Sequence, residues 1–319
     1  MPFLFVIFCL VVVAFPAHAS QVNPSKSMTF DYQGDRLREY WPLLARGTHL
    51  PFPDQTEYER LLERYPTLAH TLVQQAQSAD AHPALQAYAQ GNAEPLLLAL
   101  QQVWRLHFEG DFLPAYELGM QLGIAGSIPG LYARLMHTAL VETDQDEKLR
   151  IFREVAQQSE ALLPLVPDYA FAQFGLTYAH ARTLELLSTS AATNSGLVSR
   201  ARDTLQDLQT RYPNNMMYPA TLGGIYAGVV ERVGSWVGRM TYGATESRAI
   251  DAFELALSLE DQLPVVYKEF AQALLRLDAI KYNKRIQQLL HQCIELTVYS
   301  AEEALNQQAC HSMLESLSR

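Results

Sequence analysis

The sequence predicts an all-α fold of repeated helix pairs with long inter-helix insertions, and three observations predict it. From Asp35 onward apolar residues recur at three and four, with Gly, Pro and Asn grouped at breaks between the periodic stretches. Strand-like alternation is nearly absent. A large-small-x-x-large pattern returns at 48-residue steps, as Phe174-Gly175 with Tyr178, Leu222-Gly223 with Tyr226, and Phe270-Ala271 with Leu274. That pattern sets three side chains on one helix face, where the small residue admits a neighbouring helix.

The chain starts with an uncharged apolar run from Phe3 to Phe15, followed by Pro16-Ala17-His18-Ala19. Small residues at Ala17 and Ala19 suit a signal peptidase, so residues 1–19 are expected to be a signal peptide cleaved after Ala19, delivering a periplasmic or secreted protein. The run is shorter than the roughly 20 residues a membrane span needs. No later segment is long and uncharged enough, so the mature chain is not expected to be an integral membrane protein. Residues 20–34 are polar and aperiodic and are expected to form a flexible linker. An N-terminal helical cap is expected over 35–92, with a rigid connector at 48–53, where two prolines remove backbone donors, and helices over 54–64 and 67–77.

Repeats are expected over 93–277. Ala93 to Phe108 reads as one helix, Glu109-Gly110-Asp111-Phe112 as a tight turn and Leu113 to Leu122 as the partner helix, with small Ala115 at the approach. The second helices also align, Ala201, Leu205, Leu208 and Pro213 matching Ala249, Phe253, Ala256 and Asp261. Extra residues collect at 188–196 and 234–245. Helix starts are marked by Thr143 to Asp146, by Thr245 with Glu246, and by the capping-box pattern Ser300-Ala-Glu-Glu303. A C-terminal helical cap is expected over 278–319. In it Cys293 and Cys310 flank a turn near 298–300. A simple hairpin sets Cys293 opposite about residue 304, a mismatch on the order of 8 Å for a disulfide. His291, Cys293, Cys310 and His311 match no zinc-finger spacing, which leaves structural cysteines, bonded or free.

Ala249-Ile-Asp-Ala-Phe253-Glu-Leu-Ala256-Leu-Ser-Leu259 resembles the second-helix pattern of the tetratricopeptide repeat family. Tyr212-Pro213-Asn214-Asn215, followed by Leu222-Gly223 and Tyr226, resembles its unit junction. The resemblance implies a right-handed solenoid. Leu222-Gly-Gly-Ile-Tyr226, Gly243-Ala244 and the 249–259 helix are also similar to the T-component proteins of TRAP transporters and to exported proteobacterial helical-repeat proteins, without the lipid-attachment cysteine many T components carry.

The net charge of −10 comes without a compact run of Lys and Arg, which disfavours nucleic acid as a partner. No nucleophile elbow, phosphate loop, dinucleotide fingerprint or paired metal-spaced histidines occur, so no enzyme activity, cofactor or metal is expected. The stretch 226–243 is the most unusual. It sets Tyr226, Arg232, Trp236, Arg239 and Tyr242 among Gly228, Gly234, Gly238 and Gly243. Each glycine costs a helix about 1 kcal/mol relative to Ala, so either close packing or a backbone bent around a ligand should offset it. These five residues are the candidate ligand-binding set, the arginines suiting an anion and the rings serving as walls; the alternative, which needs no ligand, is a long inter-repeat loop packing Trp236, Val237 and Met240 onto the repeats. The expected function is a periplasmic scaffold or adaptor for a protein or peptide, or alternatively a small-molecule-binding accessory of a solute transport system.

Overall fold

The computed structural model describes residues 29–317, so the expected signal peptide and linker residues 20–28 lie outside the described residues. Among the described residues there are sixteen α-helices and no strand, and no helix is long and apolar enough to cross a membrane. Four short helices come first: α1 Arg36–Leu44, α2 Gln55–Arg64, α3 Pro66–Ala76 and α4 Pro83–Ala89. Five pairs follow: α5 Glu94–Glu109 with α6 Phe112–Gln121; α7 Gly123–Leu140 with α8 Gln145–Leu162; α9 Ala170–Leu186 with α11 Leu197–Arg211; α12 Met217–Val237 with α13 Glu246–Leu259; and α14 Pro264–Asp278 with α15 Asn283–Glu295. The small α10 Thr189–Asn194 fills the first insertion, and α16 Ala301–Leu317 closes the chain.

Local chemistry sets the helix ends. Gly110, at φ 99°, closes the α5–α6 turn in a conformation that favours glycine. The Asp54 carboxylate caps α2 through the Glu57 N–H at 3.2 Å, and Thr245 caps α13 through the Arg248 N–H at 3.1 Å. At α8 the cap is Asp144, accepting from the Glu147 N–H at 2.8 Å, one residue beyond the expected Thr143. Ser300 accepts from the Glu303 N–H at 3.2 Å, but Glu303 reaches back to the N–H of Tyr299 rather than to that of Ser300.

The repeated small position is tested directly at α12. A Cβ on Gly223 would lie 2.7 Å from two ring carbons of Phe253 on α13. Phe253 stacks on Phe270 of α14, centroids 5.0 Å apart and planes at 6°. Leu222, Phe253 and Phe270 thus join aligned positions of successive units in one core, with Ala271 fully buried beside them. Gly175 differs: a Cβ there meets nothing within 4 Å, so close packing does not require glycine in α9, whose partner follows only after the α10 insertion. A closer backbone approach lies between α6 and α7, where a Cβ on Gly119 would lie 2.7 Å from the Gly126 carbonyl oxygen and the Gly130 Cα.

The two ends of the described chain fold back onto its middle. Trp41 of α1 meets Trp104 of α5 edge to face at 5.7 Å, and α16 packs against α5 and α7. Arg46 pairs with Glu303 at 3.0 Å and donates to the Gln262 carbonyl at 2.9 Å. Tyr32, within the stretch expected to be linker, is buried; its N–H donates to Glu109 and its hydroxyl to the Tyr299 carbonyl. Cys293 and Cys310 form a disulfide with Cα atoms 6.4 Å apart. In place of the simple-hairpin register, Cys310 rather than residue 304 lies beside Cys293. The Gln307 side-chain amide donates to the carbonyls of Cys293, Ile294 and Leu296 at the end of α15.

Candidate ligand-binding cavity

The first helix of every pair contributes to one cavity of about 480 Å³, and residues of both terminal segments also line it. Trp104 and Phe108 enter from α5, Tyr132 from α7, Phe174 and Tyr178 from α9, and Trp41 from α1. These rings account for the largely apolar character of the wall. On α12 the wall contains Gly224 and Gly228. A Cβ at Gly224 meets nothing within 4 Å, and one at Gly228 approaches only Arg276, so the two glycines leave space rather than fit a close neighbour.

Charged groups in the wall are mostly neutralised by one another. Arg182 of α9 pairs with Glu269 of α14 at 2.6 Å and with Glu185 at 2.9 Å, its guanidinium lying 4.8 Å from the Tyr178 ring centroid. Glu269 also meets Lys268 at 2.9 Å. Burial pushes the Glu269 carboxyl up, yet Arg182 and Lys268 together hold it well below the usual carboxylate range. Arg276 reaches Glu185 at 3.3 Å and Glu231 at 3.9 Å. Across the cavity, burial pushes the Glu303 carboxyl up to about 7 against the opposing pull of Arg46 and the Tyr299 N–H.

The residues expected from sequence to bind ligand are not brought together. Arg232 and Tyr242 line the cavity, whereas Tyr226, Trp236 and Arg239 do not. The Arg232 guanidinium donates to the carbonyls of Leu184 and Glu185 at 2.6 and 2.8 Å, tying α12 to the end of α9. Tyr226 is buried, its hydroxyl accepting from Gln206 at 3.1 Å. Arg239 is exposed, Trp236 is 72% exposed, and Met240 is 65% exposed. The bend anticipated from the glycines is present: Gly234 (φ 77°) interrupts the helical backbone, a π-helical turn spans Gly238–Tyr242, and Gly243 (φ 66°) ends it.

Sequence reasoning missed Trp104, Tyr132, Arg182, Glu269 and Glu302. The usable signal was charge embedded in apolar helices: Arg182 follows Tyr178 by one turn, and Glu269 stands beside Phe270. Among the described residues no group of three His, Cys, Asp or Glu side chains is placed to hold a metal ion. No protein-family model and no curated protein matches the sequence.

Proposed function

We propose that this chain is a non-catalytic, tetratricopeptide-like binding protein whose stacked helix pairs enclose a small, largely apolar organic ligand. The observation that carries this reading is the cavity itself. It is walled by aromatic rings, widened by Gly224 and Gly228, and lined by carboxylates of which most are already paired. Ligand pockets are commonly concave and apolar with a few placed polar groups, at roughly 300–1,000 Å³. An exported location fits the Cys293–Cys310 bond, which an oxidising compartment sustains. In that setting the protein would present or retain a solute, as an accessory of a transport system does.

A second reading, a scaffold for a protein or peptide, is favoured by one observation. Trp236 and Val237 at the end of α12 and Met240 in the π-helical turn that follows are all exposed. The first reading is tested by Gly224→Phe, which puts a ring into the open space. Binding of the neutral apolar dye N-phenyl-1-naphthylamine should be lost while the circular dichroism melt is retained. Undiminished dye binding by a folded Gly224→Phe protein would remove the cavity as the ligand site.

A further inference from the structure

We infer that the ligand carries a protonated amine on an apolar body, and that Glu302 receives the amine at the aromatic side of the cavity. This rests on the reading of the cavity as a ligand site. Five carboxylates line it, from Glu185, Glu231, Glu269, Glu302 and Glu303. Glu185 and Glu231 face Arg276, Glu269 faces Arg182 and Lys268, and Glu303 faces Arg46. Among the described residues Glu302 alone of the five has no Arg or Lys within 4.0 Å.

The neighbours of Glu302 are rings. His107, fully buried, approaches it through Nε2 at 3.2 Å, and the Tyr132 hydroxyl lies 3.3 Å away. Both rings pack on Trp104, with centroids 5.7 and 6.1 Å from it. His107 Nδ1 has no partner, so Glu302 is the one hydrogen-bonding contact of the ring nitrogens among the described residues. The Glu302 side chain keeps 20% of its exposure. One turn along α16, Asn306 is buried in the same wall. Its Nδ2 donates to the Glu302 carbonyl at 2.9 Å, and its Oδ1 has no donor.

At this corner the Glu302 carboxylate meets a His107 ring nitrogen and the Tyr132 hydroxyl but no Arg or Lys, and the Asn306 Oδ1 beside it is unpaired. Leaving a carboxylate so placed in an apolar wall is costly, and a cation restores the balance. The rings of Trp104, Tyr132 and Trp41 in this wall suit an ammonium group better than a carboxylate. An N–H of the amine would also serve the Asn306 Oδ1, which a quaternary ammonium could not. The other charged corner offers no comparable opening, because its arginines already hold carboxylates and backbone carbonyls.

The test compares three probes of one chain length, octylammonium, 1-octanol and octanoate, by isothermal titration into the purified protein. Octylammonium should bind at least about tenfold more tightly than either of the others, a difference of about 1.4 kcal/mol. Glu302→Gln should remove that advantage and leave 1-octanol binding unchanged. The ranking in the unsubstituted protein stands as a test even if the variant folds poorly. If 1-octanol or octanoate matches octylammonium, the amine assignment is overturned while the cavity stands as an apolar site. If octylammonium binds a folded Glu302→Gln protein undiminished, Glu302 is not its partner. Binding of none of the three overturns the cavity reading along with this one.

Discussion

Replacing Gly223 and Gly175 with alanine, one at a time, separates the two roles that a small residue at this repeat position can play. Both glycines lie inside helices, so each substitution gains about 1 kcal/mol from helix propensity. At Gly175 nothing opposes the gain, because the new Cβ meets no atom within 4 Å. At Gly223 the Cβ would lie 2.7 Å from Phe253 Cδ2 and Cε2 and 3.1 Å from the Ala249 carbonyl oxygen. The Phe253 ring cannot easily retreat, being fully buried and stacked 5.0 Å from Phe270. Overpacking of this kind costs about 1–3 kcal/mol. Gly175→Ala should therefore be stabilising, and Gly223→Ala should fall below it by about 1–3 kcal/mol, since the propensity gain cancels in the comparison. Urea unfolding followed by circular dichroism measures both, with the midpoints compared at a common slope. Equal stabilisation by the two substitutions would refute the close approach of α12 and α13 at this point.

Three further outcomes are expected. Reducing the Cys293–Cys310 bond, whose ends are 17 positions apart in sequence, should lower stability by about 3 kcal/mol, measured by unfolding with and without reductant. Glu269→Gln leaves the Arg182 charge buried with one of its two carboxylates gone and should cost roughly 3–5 kcal/mol, read from the urea midpoint. Glu303 titrates near 7 when folded and near 4.5 when unfolded, so the folded chain holds a proton that the unfolded chain releases between those values. Its contribution to stability should thus fall by up to about 3 kcal/mol as pH rises from about 4.5 to about 7, and stay flat above. His137 and His180, whose pKa values burial lowers, push the other way as pH falls below 6.5. The measurement is accordingly the difference between the unsubstituted protein and Glu303→Gln across that range, which should slope downward with pH.

The helix pairs were legible because their signals are local. Residue periodicity placed α2, α3, α5 and α6 to within a residue or two, and Gly110 and Thr245 marked ends that the structure uses. A close helix approach at Gly223 was legible from its small side chain, but its partner Phe253 was not, and the aligned Gly175 has no such approach. The cavity was not. Trp41 and Glu302 line it together from opposite ends of the chain, brought there by long-range contacts such as Arg46–Glu303 that leave no periodic trace. The 226–243 stretch drew attention for a sound reason, its bent backbone, but that bend turns Trp236 outward while Arg232 is consumed in holding α9. The disulfide was obscured because a simple hairpin register sets Cys293 opposite about residue 304, whereas Cys310 is its partner.

The claim that the cavity is a ligand site is tested most directly by native mass spectrometry of the protein purified gently from cells that express the full chain. A folded population heavier than the chain by the mass of one small organic molecule, absent from the Gly224→Phe protein, is the predicted result. Identical, ligand-free masses for both proteins, with no uptake of added apolar compounds, would contradict it.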